Sequence, residues 1–202
     1  MSCYRSCAVL IAVVASFSLT VIVGCIDRPG RVYPPKIDPA KGAAMALEMY
    51  DANKDGKLDA EELKSVSSLA RLAKDGVVTP DLIAERLKMW SEGSTGRVSW
   101  GATFSRNGKP LTGADIKLVP EKFLGTGYLS PTGKTNDSGE ALLSVPVSAP
   151  GEPKGIPLGL YRIEVAKDGD AIPAKYNTES TLSVGVYSGQ AGGAGPEFNL
   201  AY

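Results

Sequence analysis

The segment at residues 51–62 constrains this chain of 202 residues more than any other feature. It has oxygen-bearing side chains at loop positions 1, 3, 5, 9 and 12, a glycine at position 6 and an aliphatic residue at position 8. Calcium is a hard cation that takes six to eight oxygen ligands, so a tight turn that binds it must direct alternate oxygens inward. Gly56 permits the sharp bend. The candidate ligands for Ca²⁺ are Asp51, Asn53, Asp55, the backbone carbonyl of Lys57, Asp59 directly or through a water, and both oxygens of Glu62.

The residues on both sides of this loop predict helices. Asp38 and Pro39 are typical of a helix start, because proline has the φ angle of the first helical position. The apolar face that leads into the loop is formed by Ala46, Leu47, Met49 and Tyr50. After the loop, apolar residues at every third position predict one face of a second helix, at Leu63, Val66, Leu69 and Leu72. This helix, loop and helix resemble the EF-hand family, which implies calcium binding; the alternative is an acidic surface turn that holds no metal.

A second, incomplete copy of the loop follows at residues 75–82. Gly76 occupies position 6 and Val78 position 8, and a further helix is predicted to begin at Thr79 and Pro80. Its apolar side consists of Leu82, Ile83, Leu87 and Trp90. Positions 1, 3 and 12 are Arg71, Ala73 and Leu82, which cannot replace carboxylates around a divalent cation. We therefore expect a degenerate hand beside the first, with the backbone of Leu58 in a short pairing between the loops, or alternatively a plain helix-turn-helix.

The amino terminus predicts export and lipid attachment. Residues 1–24 have a positive charge at Arg5 followed by an apolar run, which is typical of a signal peptide. The sequence Ile22, Val23, Gly24, Cys25 resembles the bacterial lipobox. The resemblance implies that Cys25 is lipidated and that the protein is anchored in the cell envelope, on a periplasmic or cell-surface face. An ordinary signal peptide followed by a free cysteine is the alternative. Residues 25–38 contain three prolines and predict an extended tether.

The charge balance excludes some partners. Loss of Arg5 with the signal peptide would leave 21 basic against 22 acidic side chains, which is close to neutral. The sequence shows no basic run for nucleic acid and no polybasic stretch for a membrane surface. The lipid at Cys25 is therefore the only means of membrane attachment that the sequence predicts.

The period of the apolar residues changes from helical to alternating in the second half. Residues 39–91 form the predicted EF-hand domain, residues 92–96 a polar linker, and residues 97–202 a domain of six or seven short strands. Turns are predicted at Asn107 and Gly108 and at residues 136–139. Such a series of short strands is typical of an antiparallel β-sandwich. The segment at residues 121–132 is either an excursion between strands or a binding loop.

Three segments of this half resemble the carboxypeptidase-regulatory, transthyretin-like (prealbumin-like) family of sandwiches. They are residues 107–120, 135–143 and 159–165. Residues 172–176 and 182–186 are similar to versions of that domain in exported proteins of planctomycete-type bacteria. The resemblance implies an accessory or adhesive module that meets a protein or glycan partner and has no catalytic residues.

No motif in the chain predicts an enzyme. The absence of histidine excludes Ser-His-Asp and Cys-His catalysis and most zinc sites. Residues 127–135 imitate a phosphate-binding loop but have the wrong glycine spacing and lead into a strand. Ser130 and Lys134 fit no known dyad, and we interpret Trp90 and Trp100 as packing residues. The expected function is calcium binding by a lipid-anchored exported structural or interaction protein. The alternatives are a calcium-dependent accessory subunit that recognises a polysaccharide or peptide for a separate enzyme and, third, a hydrolase that uses carboxylates alone.

Overall fold

A computed structural model of the chain describes residues 31–189 and 195–202. The predicted signal peptide, Cys25 and residues 25–30 of the predicted tether lie outside these described residues. None of the helices within the described ranges is long and apolar enough to cross a membrane.

Three α-helices occupy the first part of the described chain: α1 at Pro39–Tyr50, α2 at Ser67–Ala70 and α3 at Pro80–Glu92. Asp38 caps α1 by accepting a hydrogen bond from the N–H of Lys41, and Thr79 caps α3 by accepting one from Leu82. The predicted starts of both helices are therefore confirmed. The buried face of α1 contains Ala43 and Ala46, whereas Met49 is exposed rather than part of the apolar face.

The segment after the acidic loop differs from the single helix that we expected. Glu62–Lys64 forms a 3-10 turn, and α2 begins only after Val66, which has φ −141° and ψ 61°. Leu63, Val66, Leu69 and Leu72 are all buried, as predicted. A spacing of three matches the three residues per turn of a 3-10 helix, whereas along an α-helix it drifts by about 60° at each step. The prediction of one continuous helix was therefore wrong, although the buried residues were identified correctly.

Eight strands form two sheets in the second part of the described chain. The first sheet has the order β2 (Lys109–Pro110), β1 (Trp100–Arg106), β5 (Glu140–Leu143), with β8 (Glu197–Leu200) also beside β1. The second has the order β4 (Thr132–Lys134), β3 (Asp115–Pro120), β6 (Gly159–Ala166), β7 (Ser183–Val186). All of these pairings are antiparallel except that of β1 with β8, which is parallel.

Buried and less buried side chains alternate along several of these strands, as the alternating period of the sequence predicts. In β1 the side chains of Trp100, Ala102 and Phe104 are buried, and the residues between them are not. The predicted turn after β1 is confirmed, because Asn107 and Gly108 both have positive φ (49° and 77°) and pair β1 with β2. Two successive residues with positive φ give the tight hairpin twist that antiparallel strands favour. The structure therefore combines an α-helical part with two largely antiparallel sheets.

The helical part and the sheets contribute to one hydrophobic core among the described residues. Trp90 of α3 packs against Tyr187, which follows β7, with 5.7 Å between their ring centroids. Ser67 and Ser183 join α2 to β7 through their hydroxyl groups, which lie 2.9 Å apart. The predicted boundary at residues 92–96 lies between α3 and β1, but contacts outside it connect the two parts.

The predicted tether and the predicted excursion between strands both pack on this core. Residues 31–38 form no helix or strand, yet Ile37 is buried and its N–H donates a hydrogen bond to Ser91 Oγ at 3.3 Å. The segment between β3 and β4 contains a 3-10 turn at Lys122–Leu124, where Phe123 is buried. This turn contacts α1, so the segment is a packed connection that brings residue 121 close to the helical part.

Candidate metal centre

Four of the five acidic side chains of residues 51–62 turn back toward their own loop. Asp51 accepts hydrogen bonds from the N–H of Asp55 (3.2 Å, Oδ1) and of Gly56 (2.9 Å, Oδ2). Asn53 Oδ1 also accepts from Asp55, at 2.8 Å. Asp59 Oδ1 accepts from the N–H groups of residues 61 and 62. Gly56 has φ +83°, so the bend occurs at the residue that the sequence indicated.

Glu62 closes the loop from its far end. Its Oε1 accepts from the N–H of Ala52 at 2.8 Å and of Asn53 at 3.2 Å, and its Oε2 accepts from the N–H of Asp59 at 3.0 Å. The carboxylate at position 12 is therefore adjacent to positions 2 and 3, which a side chain on an open turn would not reach, whereas its bond to Asp59 is a local contact across three residues. Glu61 points away, since its carboxylate pairs with Lys64 Nζ at 2.6 Å in solvent.

The oxygen-bearing side chains of the loop are of the kind that calcium prefers. In this structure they accept hydrogen bonds from backbone N–H groups. Among residues 31–189 and 195–202, no three Asp, Glu, Cys or His side chains converge in the arrangement of a metal site. The carboxylates of Asp51, Asp55, Asp59 and Glu62 would exchange N–H donors for a cation. Lys57, whose carbonyl is the expected ligand at position 7, has its Nζ 3.7 Å from the Asp55 carboxylate. Four carboxylates close in sequence repel one another, which favours uptake of a divalent cation.

A backbone pairing joins this loop to the incomplete copy. Leu58 and Val78 exchange two hydrogen bonds, of 2.8 and 2.9 Å, and both side chains are buried. This is the short pairing between loops that we expected of Leu58. The second loop is a tight turn in which Asp75 and Gly76 both have positive φ, and it contains no equivalent of the inward carboxylates of the first loop. Arg71 instead lies over the ring of Tyr187, 4.8 Å from its centroid.

The acidic loop is connected to the sheets through a buried carboxyl group that sequence reasoning missed. Tyr50, which immediately precedes the loop, donates a hydrogen bond from its hydroxyl to Glu121 Oε2 at 2.8 Å. Burial raises the pKa of Glu121 above its ordinary value. The Tyr50 hydrogen bond and the cations of Arg162 and Lys122 lower that pKa, but less than burial raises it. The contact spans 71 residues of sequence, so no local pattern indicates it.

This carboxyl group predicts a pH dependence of stability. A carboxyl with a raised pKa in the folded state stabilises the fold fully below its unfolded pKa, and that stabilisation is lost as the pH rises through the folded pKa. Glutamine retains an oxygen that accepts from Tyr50 but cannot ionise. We expect Glu121→Gln to raise the melting temperature at pH 7 to 8, with a gain that shrinks toward pH 4. Thermal unfolding across this pH range, with Glu48→Gln at an exposed position of α1 as the control, measures the effect; an equal gain at every pH would contradict it.

The segments that imitate enzyme motifs have other roles in the structure. Lys134 lies in β4 with its Nζ 3.4 Å from Asp115 Oδ1, which is an ion pair across neighbouring strands rather than a dyad with Ser130. The imitation of a phosphate-binding loop leads into β4 and not into a helix, as expected. Trp90 and Trp100 are both buried, in agreement with their interpretation as packing residues.

Comparison with known proteins assigns no family to the chain. A scan against protein-family models gave no match, and a search of curated proteins gave none either. The resemblances of the acidic loop and of the sheets to known families therefore stay predictions.

Proposed function

We propose that residues 51–62 bind one Ca²⁺ ion as an EF-hand loop. The observation that carries this proposal is the position of Glu62, whose two oxygens reach back to the backbone of residues 52, 53 and 59. Such a closure allows one carboxylate to bind with both oxygens while the first half of the loop supplies the rest. The proposed ligands are Asp51, Asn53, Asp55, the carbonyl of Lys57, Asp59 and Glu62. The loop joined to it by Leu58 and Val78 is its degenerate partner.

The sheets support a β-sandwich of the transthyretin-like type as the second module. Each sheet has four strands, and buried side chains of both belong to one core. Sandwiches of this kind serve as accessory or adhesive modules without catalytic residues, and we propose that role here. With lipid attachment at Cys25, the protein would be anchored in the cell envelope and exposed to the calcium outside the cytoplasm.

One cavity supports the alternative of an accessory subunit that recognises a glycan. It has a volume of about 960 Å³ and lies between α2, β1 and β7. Hydroxyl, amide and guanidinium groups line it, from Ser67, Ser68, Arg71, Thr103, Asn136 and Ser183. Ser68 Oγ is buried and has no hydrogen-bond partner among the described residues. A few polar groups in a concave site are typical of recognition, and calcium-dependent retention on a polysaccharide would favour this second function.

A calcium titration tests the leading proposal. Residues 26–202 include every residue that the structure describes, and calorimetry on this chain should show one site with a Kd of about 10⁻⁴ to 10⁻³ M, the range of extracellular modules. At ten times Kd, calcium should add about 1.4 kcal/mol to the free energy of unfolding. Magnesium, which needs a smaller octahedral site, should stabilise the protein less. A titration without heat, together with equal melting temperatures in calcium and in chelator, would contradict the proposal.

A further inference from the structure

A second cavity lies on the side of the molecule where the described chain begins. It has a volume of about 600 Å³ and separates the start of α1 from the segment that follows β3. Its apolar lining comes from Met45, which is partly exposed, and from Ile37, Phe123 and Leu124, which are largely buried. Three lysines also line it, namely Lys36, Lys41 and Lys122, and all three are exposed. The cavity therefore offers an apolar floor with cations at its edge.

The lysines at this cavity are free to meet an external anion. None of them forms an ion pair with a carboxylate in the described part of the chain. Two acids line the same cavity: Asp38, which caps α1, and Glu121, which is buried, accepts from the Tyr50 hydroxyl and is influenced by the Lys122 cation, so the lysines exceed the acids by one. The lysines lie at positions 36, 41 and 122, so folding brings them together and the sequence shows no continuous basic segment there.

The chain that precedes this cavity leads to the predicted anchor. Cys25 precedes Arg31 by six residues, which span at most about 20 Å when fully extended. The segment that begins at Arg31 is held against the body through Ile37, so the cavity cannot swing freely away from it. Tyr33 is 68% exposed and carries the guanidinium of Arg31 over its ring at 5.4 Å. In membrane-spanning proteins, tyrosine is enriched at the level of the lipid headgroups.

We infer that this face, formed by Lys36, Lys41, Lys122 and the cavity that they line, docks on an anionic lipid surface. The lysines contact lipid phosphates, and the apolar floor receives the adjoining part of the lipid. The inference rests on the proposed anchoring at Cys25, which would bring the face to the bilayer, and it makes the lipid anchor one of two membrane contacts. The second contact fixes the orientation of the calcium loop and the sheets relative to the membrane.

The charge pattern favours a lipid surface over a single dissolved anion. Three exposed lysines line a cavity that also has apolar lining, and a dissolved phosphate would make no use of that apolar lining. Each lysine near an anionic bilayer strengthens binding by about fivefold, and the contributions of neighbouring cations accumulate. Added salt should therefore weaken the binding, because exposed charges interact over only about 10 Å at 0.1 M salt.

Vesicle binding of the chain without its anchor tests the inference. Residues 26–202 should bind vesicles that contain about one-third phosphatidylglycerol in phosphatidylcholine and should bind phosphatidylcholine alone far more weakly. Replacement of Lys36, Lys41 and Lys122 by glutamine should weaken the binding by about a hundredfold. Cosedimentation at low and high salt gives both measurements, and circular dichroism confirms that the variant is folded.

The matched control removes three other exposed lysines, which do not line the cavity: Lys88, Lys109 and Lys154. This control should bind like the parent chain; equal losses in both variants, or equal binding to both kinds of vesicle, would overturn the inference. A separate comparison of the full chain with Cys25→Ala, by membrane fractionation of cells, reports on the anchor itself. Loss of anchoring without loss of vesicle binding, or the reverse, distinguishes failure of the proposed anchor from failure of this face.

Discussion

Replacement of Glu62 by glutamine is expected to weaken calcium binding by at least about a hundredfold, beyond what calorimetry detects for a site of this class. The two carboxylate oxygens at position 12 supply both a charge and two ligands. Glutamine keeps one oxygen and presents an amide group in place of the other. In the structure, both oxygens of Glu62 already accept hydrogen bonds inside the loop, so the amide would face an N–H group and could not satisfy it.

The adjacent residue provides the matched control for this experiment. Glu61→Gln removes the same charge from the same loop, but the Glu61 side chain is exposed and pairs with Lys64 outside the ligand set. Because the Glu61 carboxylate is exposed to solvent and is not a proposed ligand, this variant should bind calcium with an affinity close to that of the parent chain. Loss of its exposed ion pair should also change the stability little. The calcium-free melting temperatures show whether each variant is folded. Equal losses in the two variants would mean that calcium is held by general negative charge, and an unchanged Glu62→Gln would refute the loop as the site.

Features that depend on neighbours in sequence were predictable. The bend at Gly56, the helix starts at Asp38 and Thr79, and the turn at Asn107 and Gly108 each follow from the conformational preferences of a few adjacent residues. The alternation along β1 likewise identified its buried side. The pairing of Leu58 with a neighbouring loop was predictable because the motif recurs at Val78 with a glycine two positions earlier.

Features that depend on distant residues were not predictable from these patterns. The hydrogen bond from Tyr50 to Glu121, and the cluster of Lys36, Lys41 and Lys122, require the segment after β3 to pack on α1. A packed turn and an exposed loop have similar compositions in the sequence, so residues 121–132 gave no indication of this contact. The break at Val66 was missed for a related reason. Apolar residues at every third position can be buried in a 3-10 turn as well as in an α-helix, so their spacing does not distinguish the two.

The contact between the helical part and the sheets decides whether the calcium loop and the proposed sandwich act as one unit. Trp90 is 4% exposed and packs on Tyr187, whose hydroxyl donates to the carbonyl of Ser68 at 3.4 Å. Arg86 also lies over the Tyr187 ring, 5.3 Å from its centroid. An aromatic pair buried between two parts of a chain contributes both apolar area and specific ring geometry. The two parts should therefore unfold together.

Trp90→Ala is expected to lower the free energy of unfolding by about 3 to 5 kcal/mol, which for a chain of this length lowers the melting temperature by about 6 to 20 °C. The chain has two tryptophans, so Trp100 is the only one in this variant, and its fluorescence reports on the sheets. Circular dichroism at about 222 nm reports mainly on the helices. Because the helices and sheets share a core, both signals should shift by the same amount and follow one transition.

Met89→Ala is the matched control, because Met89 is the preceding residue of α3 and is 58% exposed. Its loss leaves no cavity, and alanine is a good helix former, so the free energy of unfolding should change by less than about 0.5 kcal/mol. If Trp90→Ala lowered the helical transition while the Trp100 signal kept the midpoint of the parent chain, the two parts would be independent domains. Calcium bound at the loop would then stabilise the helices alone, whereas a shared core requires that it also raise the unfolding midpoint of the sheets.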